Sequence, residues 1–458
     1  MKKVVLFGAG EYYQKYKKYI EDEIIAICDN AKEKKGKIID GHIVISPDEI
    51  MHYHPDEIII LSVYINEIKD QLCELGIDSS IIKPFYDIKY EKEIKEKIYY
   101  NSTLEPSKET KKKVLVISHE LSTTGAQIAL LEAVHQLRNL GYYITVASPD
   151  DGDMREAFLS YCDQIIIDER LRTSKLSEIE WTSVYNLVFV NTVQLFYLLR
   201  SLKPTQKVLW WLHEPECFYS SVDSRCLKEI NYSQVSLNAV SVVAKEAFLK
   251  RNNAIHCNIL PYGKSDCPRT KKKSNCNALN CIVIGGISKL KGHDRVVDAV
   301  SRLCNAGYMN MHFQFVGNDT SEFALRIKEV VLQNRLPITF TGEMNNSTTL
   351  DMIEDSNLLL CASEVESLSV SVTEGMMKEV ACLIPSTAGN CEYVTNGENG
   401  LIFDRSDTDD LFRKLQWCVD NIPSLTLIGN KGRKIYETYF SVESFCNSLI
   451  EALNMIFA

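Results

Sequence analysis

The sequence predicts an α/β protein of doubly wound parallel sheets: one small block, then two larger blocks facing each other across a cleft. Three observations predict it. Short Val/Ile/Leu-rich runs, read as buried strands, alternate with helical stretches along the chain. The alternation occurs twice at similar length, over 114–262 and 278–440. Polar, lysine-rich, proline-containing segments at 101–113 and 263–277 punctuate the blocks.

The first block (1–106) opens with a strand at 4–7, then Gly8-Ala9-Gly10, a helix, and a strand at 24–28 ending in Asp29. A third run, 57–62, precedes a helix at 67–75. Residues 107–113 read as a linker. The second block carries expected strands at 114–118, 143–148, 164–168, 186–191, 207–213, 239–243 and 257–260, with its clearest helix at 127–140. Residues 263–277 read as an interdomain linker. The third block repeats the pattern at 281–287, 311–316, 338–341, 357–361, 381–384 and 401–403. A last helix, 441–458, is expected to pack back on the second block. Ligands of open α/β sheets sit at the carboxyl ends of their strands, so the cleft is the expected site.

Composition narrows the function. With 51 basic and 61 acidic residues the formal net charge is −10, which argues against a global grip on nucleic acid. No apolar run approaches the ~18 residues of a membrane span. The apolar run after Lys2-Lys3 is too short for a signal-peptide core. The 15 cysteines lack C-x-x-C pairs and read as reduced thiols. A cytoplasmic protein is expected, with no metal or other cofactor.

The most informative stretch is Cys361–Met377, CASEVESLSVSVTEGMM. Glu366 and Glu374 have seven residues between them, after a buried strand and around the start of a helix expected at 368–378. Such spacing alone carries little in a glutamate-rich chain. Context adds Pro385, then Ser386-Thr-Ala-Gly-Asn-Cys-Glu392, then Asn396-Gly-Glu-Asn-Gly400. Upstream lie Ile284-Gly-Gly-Ile-Ser-Lys-Leu-Lys291-Gly-His and Phe340-Thr-Gly342-Glu343. The second block holds Ser118-His-Glu-Leu-Ser-Thr-Thr-Gly125-Ala-Gln127, Trp210-Trp-Leu-His213-Glu-Pro, Val240-Ser-Val-Val-Ala-Lys245 and Pro261-Tyr-Gly263. In this order the motifs, over about 114–458, resemble the retaining GT-B glycosyltransferases of family 4, the "glycosyl transferases group 1" proteins. That resemblance implies GT-B architecture: two facing Rossmann-like domains, here preceded by a small Rossmann-like domain.

The resemblance also implies roles. The donor would be a UDP- or GDP-sugar, bound as a substrate. Glu374 would accept hydrogen bonds from ribose hydroxyls, and Glu366 from the donor sugar, with charge-assisted strength. The N–H groups of Ser367, Leu368 and Ser369 would face sugar and phosphate oxygens at a helix start. Lys291, helped by Lys289, would neutralise the leaving diphosphate. Gly125 would let backbone approach the donor phosphate, Gly342 and Glu343 would flank the base, and His213 would lie beside the sugar. Catalysis would rest on His213, Glu366 and Lys291. The simpler readings are surface or capping roles: a helix-start lysine, a solvated glutamate pair, a strand-end histidine held by backbone. Gly286 stands where the family usually has an arginine, and Ser367-Leu-Ser369 replaces its Gly-aromatic-Gly.

Asp151-Gly-Asp153 looks like the metal-binding D-x-D of the other glycosyltransferase fold; instead, Asp153 with Glu156 reads as a capping box for a helix at 154–161. In the first block, Gly8, Gly10 and Asp29 form an incomplete dinucleotide pattern, with Tyr13 at the third glycine position; tight-turn and strand-end roles compete with nucleotide binding. The block resembles Rossmann-like domains of bacterial polysaccharide enzymes. The expected acceptor is therefore a glycan or lipid-linked saccharide. Lys111–Lys113 and 269–273 raise the expectation of a peripheral contact with an anionic membrane. A silent nucleotide-sugar-binding scaffold, a GT-B UDP-sugar epimerase and an NAD-dependent oxidoreductase are the competing readings.

Overall fold

The structure is a computed structural model and describes residues 1–87, 97–101, 112–253, 255–270 and 277–457. Its first sheet comprises β1 (Lys3–Phe7), β2 (Glu23–Cys28), β3 (Ile38–Ile39), β4 (His42–Ile45), β5 (Glu57–Ile60) and β6 (Ile82–Pro84), in spatial order 3-4-2-1-5-6. All pairings are parallel except β3 with β4. The second sheet holds β7 (Ile98–Asn101), β8 (Lys113–Ile117), β9 (Tyr143–Ser148), β10 (Gln164–Ile167), β11 (Leu187–Asn191), β12 (Lys207–Leu212), β13 (Val235–Ala239) and β14 (Asn258–Ile259). Its order is 14-13-12-11-8-9-10-7, with only β7 antiparallel. The third is parallel throughout: β15 (Leu279–Ile284), β16 (Met311–Val316), β17 (Ile338–Gly342), β18 (Leu358–Leu360), β19 (Ala381–Pro385) and β20 (Leu401–Phe403), in order 17-16-15-18-19-20.

The strands form where β-branched and leucine runs are buried on both faces. Val4–Leu6, Val114–Ile117 and Val188–Val190 are fully enclosed, as parallel sheets covered by helices require. One apolar cluster runs from the first sheet through the second and into the helix Val370–Met377 of the third domain. A separate cluster fills the opposite face of the third sheet. Tyr86 seals the first junction: its ring packs on Phe196 at 5.3 Å and stacks on Tyr197 at 5.9 Å.

Four expectations are corrected. Residues 98–101, expected in the first block, add the antiparallel β7 to the second sheet through pairing with β10. The strand expected at 239–243 is instead β13, Val235–Ala239; Ser241 Oγ accepts from Ala244 N and starts the helix Val242–Leu249. No capping box forms at Asp153: the helix is Arg155–Leu159, and Asp153 accepts from Thr123 Oγ1 at 2.7 Å. The described part of 263–277 is docked, not free. Thr270 N–H donates to Glu354 Oε1, the Arg269 guanidinium donates to the carbonyls of Glu354 and Lys378, and Asp266 pairs with Arg433 at 2.7 Å. Arg269 thus bonds into the third domain, which removes it from the proposed membrane contact. Lys111, the linker residues 107–111 and residues 271–276 lie outside the described residues.

The chain crosses between the second and third domains at 260–264 and returns at 436–441. The final helix, Val442–Phe457, lies on β12, β13 and the helix Gly125–Asn139 of the second domain, with Phe445 stacked on Trp211 at 5.7 Å.

Candidate donor site

Glycines clear the carboxyl edge of the third sheet. Gly285 follows β15 at φ +134°, Gly317 follows β16 at φ +144°, and Gly342 ends β17 at φ +72°. The Gly317 N–H donates to Gly342 O at 3.0 Å, and a Cβ on Gly317 would collide with Gly285 O. The strand ends therefore meet backbone to backbone, and only glycine fits. Gly286 is exposed; a Cβ there would meet nothing closer than Asn318 at 3.9 Å.

Lys291 rises over this floor, with its stem 3.6 Å from where a Gly285 Cβ would lie. Its ammonium pairs with Glu366 Oε2 at 2.7 Å, and Ser363 Oγ donates to the same oxygen at 3.1 Å. Burial pushes the Lys291 ammonium down, but the Glu366 carboxylate outweighs it and holds the group above the usual lysine value. Lys289 lies exposed on the preceding turn, and Glu343 is exposed beyond Gly342.

The helix Val370–Met377 begins at this point, with Ser369 as its cap. The Ser369 N–H is already taken by Asn390 Oδ1 at 2.8 Å, so the expectation that it serves a ligand is corrected. Ser367 is 4% exposed and its Oγ is buried with no partner. Leu368 is buried and offers only backbone. Glu374, one turn into the helix, is 4% exposed. Lys264 Nζ lies 2.7 Å and Asn346 Nδ2 3.1 Å from its Oε1. Lys264 and Asn346 were not legible in the sequence: one lies on the hinge, the other opens the helix after Gly342-Glu343.

The second domain supplies the facing wall. Gly125 opens its helix, and a Cβ there would lie 3.8 Å from Val370 Cγ2, the first residue of the opposing helix. The N-termini of two helices thus converge across the cleft. Glu392 of the third domain caps a third, accepting from Val242 N at 2.7 Å. His213 follows β12 with its ring 4.5 Å from Trp211 and its Nε2 buried without a partner. Burial, with His119 nearby, drives its pKa down to about 3, so the ring is neutral at pH 7. Its neighbour Glu214 is buried, accepts from the N–H groups of Val193 and His213, and is pushed up by that burial. His119, another residue that sequence reasoning missed, contacts Gln127 Nε2 at 3.2 Å and Thr192 Oγ1 at 3.3 Å.

The remaining candidates stand apart. Gly8, at φ +113°, lies against Leu61 O, where a Cβ would fall at 2.5 Å. Gly10 precedes the helix Glu11–Tyr16. Asp29 accepts from Ala9 N at 2.8 Å, Ala31 N at 2.9 Å and Lys34 Nζ at 2.9 Å. Burial works against its charge, yet Lys34 and these N–H groups hold the carboxyl below its usual value. These bonds give Asp29 the strand-end capping role. Asp151 pairs with Arg155 and accepts from Tyr100 Oη. Among the described residues no three His, Cys, Asp or Glu side chains converge on a metal position, and no helix is long and apolar enough to cross a membrane.

Comparison with known proteins agrees with this division. Residues 1–83 match the family model "C2185-like, N-terminal", 110–258 match "Glycosyl-transferase family 4", and 268–435 match "Glycosyl transferases group 1". An uncharacterized glycosyltransferase of Methanocaldococcus jannaschii is 21% identical over 159 residues, 34% of this chain and 43% of that protein. The match thus spans less than half of that relative. The Anabaena protein HepE, solved with UDP and glucose, superposes with TM-score 0.63 at 14% identity, covering 75% of this chain and 100% of HepE. Sucrose-phosphate synthase of Thermosynechococcus elongatus gives 0.60 at 17%, covering 76% and 99%. At these identities the superpositions speak for the fold alone. Consecutive family models over 110–258 and 268–435, on a GT-B fold, establish that the chain belongs to the family 4, or group 1, GT-B glycosyltransferases.

Proposed function

We propose that the protein transfers a sugar from a UDP- or GDP-sugar to a glycan or lipid-linked saccharide, with retention of anomeric configuration. One observation carries the donor half: the helices of the two domains that open at Gly125 and Val370 start side by side, a Cβ on Gly125 falling 3.8 Å from Val370 Cγ2. Each end presents N–H groups and partial positive charge, which favours a diphosphate beside them. Glu366 and Glu374 then take sugar and ribose hydroxyls, and the unpartnered Ser367 Oγ gains a ligand oxygen. In this reading Lys291 exchanges its Glu366 contact for the leaving diphosphate, a charge-assisted contact that strengthens as negative charge develops. The departing phosphate takes the acceptor proton on the same face. Neutral His213 donates or accepts a hydrogen bond at the sugar but supplies no positive charge. Lys291 and the helix ends supply the positive charge without a metal.

Retention and the acceptor class rest on the family's chemistry, and cytoplasmic placement on the composition. A membrane contact would now rest on Lys111–Lys113 and Lys271–Lys273. The competing reading, a nucleotide-sugar-binding scaffold, draws on Gly286, where the diphosphate loses a customary arginine. A thermal-shift screen against UDP-, GDP- and ADP-sugars, followed by assay for released UDP or GDP, separates these readings. Stabilisation with turnover is expected. Stabilisation without turnover would favour the scaffold, and neither would overturn the donor site.

A further inference from the structure

We propose that Lys264 is a positioning residue for nucleotide recognition, fixing Glu374 from the interdomain hinge. The proposal rests on the reading of Glu374 as a donor contact.

The backbone of Lys264 joins the two chain crossings between the domains. Its N–H donates to Phe440 O at 2.9 Å, its carbonyl accepts from Tyr436 Oη at 2.8 Å, and it forms an isolated parallel bridge with Ser441. The residue before it is equally constrained: a Cβ on Gly263 would fall 2.6 Å from Phe445 Cβ. From this pinned point the side chain reaches Glu374 Oε1 at 2.7 Å, with the lysine 17% and the glutamate 5% exposed. Next to Glu374, Thr373 is tied to the same hinge stretch, its Oγ1 lying 2.9 Å from Tyr262 Oη.

The consequence is geometric. With Asn346 also on Oε1, one carboxylate oxygen is held by an ammonium and an amide, which fixes the carboxylate in place as an acceptor. A ribose diol needs such an acceptor. A hinge residue lies close to the rotation axis and moves least when domains close. The nucleoside half of the site is therefore preformed. Loss of Lys264 then weakens nucleotide binding and leaves the chemical step intact.

The test compares wild type, Lys264→Met and Lys264→Arg by calorimetric binding of UDP and GDP and by hydrolysis of UDP-glucose and GDP-mannose. Lys264→Met is expected to raise the Kd of the preferred nucleotide and the donor KM about tenfold or more, with kcat within about twofold. Lys264→Arg is expected to recover most of that affinity. Lys264→Gln replaces the Met variant if the latter does not fold, with the same expectation. Wild-type affinity in the Met or Gln variant, loss confined to kcat, or an Arg variant no better than Met would each overturn the role of Lys264 alone. A wild-type protein that binds neither nucleotide and hydrolyses neither donor would overturn the donor site itself.

Discussion

Two strand edges of this molecule carry the same glycine-and-acid pattern and differ in what their polar groups do. At the edge of the first sheet, Gly8-Ala9-Gly10 follows β1 and Asp29 follows β2, as in a dinucleotide site. Yet the Ala9 N–H donates to Asp29, Lys34 pairs with the same carboxylate, and Gly8 is packed against Leu61 O. At the edge of the third sheet, Ser367 Oγ is buried with no partner, and Glu374 meets side chains from the hinge and from the helix after β17 rather than its own strand end. A glycine-rich strand end is therefore common to structural turns and binding sites. What separates them is whether donors and acceptors satisfy each other.

The sharpest break of this comparison is substitution of the acids and the lysine. Lys291→Ala and Glu374→Ala are expected to abolish donor hydrolysis and transfer, a loss of about a thousandfold or more if both act on the donor and its leaving group. Circular dichroism should remain that of the folded protein in both variants, with a lowered melting temperature for Glu374→Ala, which leaves the Lys264 ammonium unpaired. Near-normal turnover in either variant would mean that the third-sheet edge is not the site. Asp29→Ala should do the reverse. It strands the Ala9 and Ala31 N–H groups and should cost roughly 1–3 kcal/mol of stability, with donor turnover unchanged. Loss of nucleotide binding in Asp29→Ala at full stability would restore the first edge as a ligand site.

Much of this was readable from the chain because it rests on local pattern. The strand run 143–148 has its observed limits because a parallel strand buried on both faces is written in a nearly unbroken run of apolar and small residues. The Glu366, Glu374 and Lys291 grouping came from motif order, and the structure brings these side chains to one edge of the third sheet. What could not be read is tertiary. Asn390 reaches Ser369 N–H from 21 residues away, and Lys264 reaches Glu374 across 110 residues. The same holds for Asp29, whose partners decide its role and are N–H groups without sequence identity. Residues 98–101 were misplaced because an antiparallel edge strand is defined by its partner β10, not by its own Ile-Tyr-Tyr-Asn sequence.

A pH series examines the neutral wall of the cleft. The unfolded His213 ring takes a proton near pH 6.5, whereas the folded ring resists it down to about 3. Between those values the unfolded state binds more protons, so stability rises with pH and falls as the solution is acidified. The slope for one such proton is about 1.4 kcal/mol per pH unit, or roughly 2 kcal/mol lost by pH 5. His293, lowered by burial to about 4, adds the same sign. His213→Gln should melt with a shallower decline between pH 7 and 5 than wild type. An unchanged slope would place the His213 ring in water rather than behind Trp211.

The smallest expected effect is a gain. Gly286 stands where relatives of this fold class usually place an arginine, and its exposed position leaves room for one: a Cβ would meet only Asn318, at 3.9 Å. Its φ lies outside the left-handed range, so a side chain brings no backbone strain. Gly286→Arg would add a guanidinium close to the Lys291 floor, where a diphosphate is proposed to sit. An exposed charge-assisted contact is worth about 1 kcal/mol after screening, which corresponds to roughly fivefold tighter donor binding. The same change at Gly8 would fail for a different reason, because φ +113° and the Leu61 carbonyl forbid any Cβ. Titration of UDP and GDP against Gly286→Arg at low and high salt reads the effect. Tighter binding that shrinks with salt would support the diphosphate position. Unchanged or weaker binding at low salt would move the phosphates away from Gly286 and leave only the helix ends to hold them.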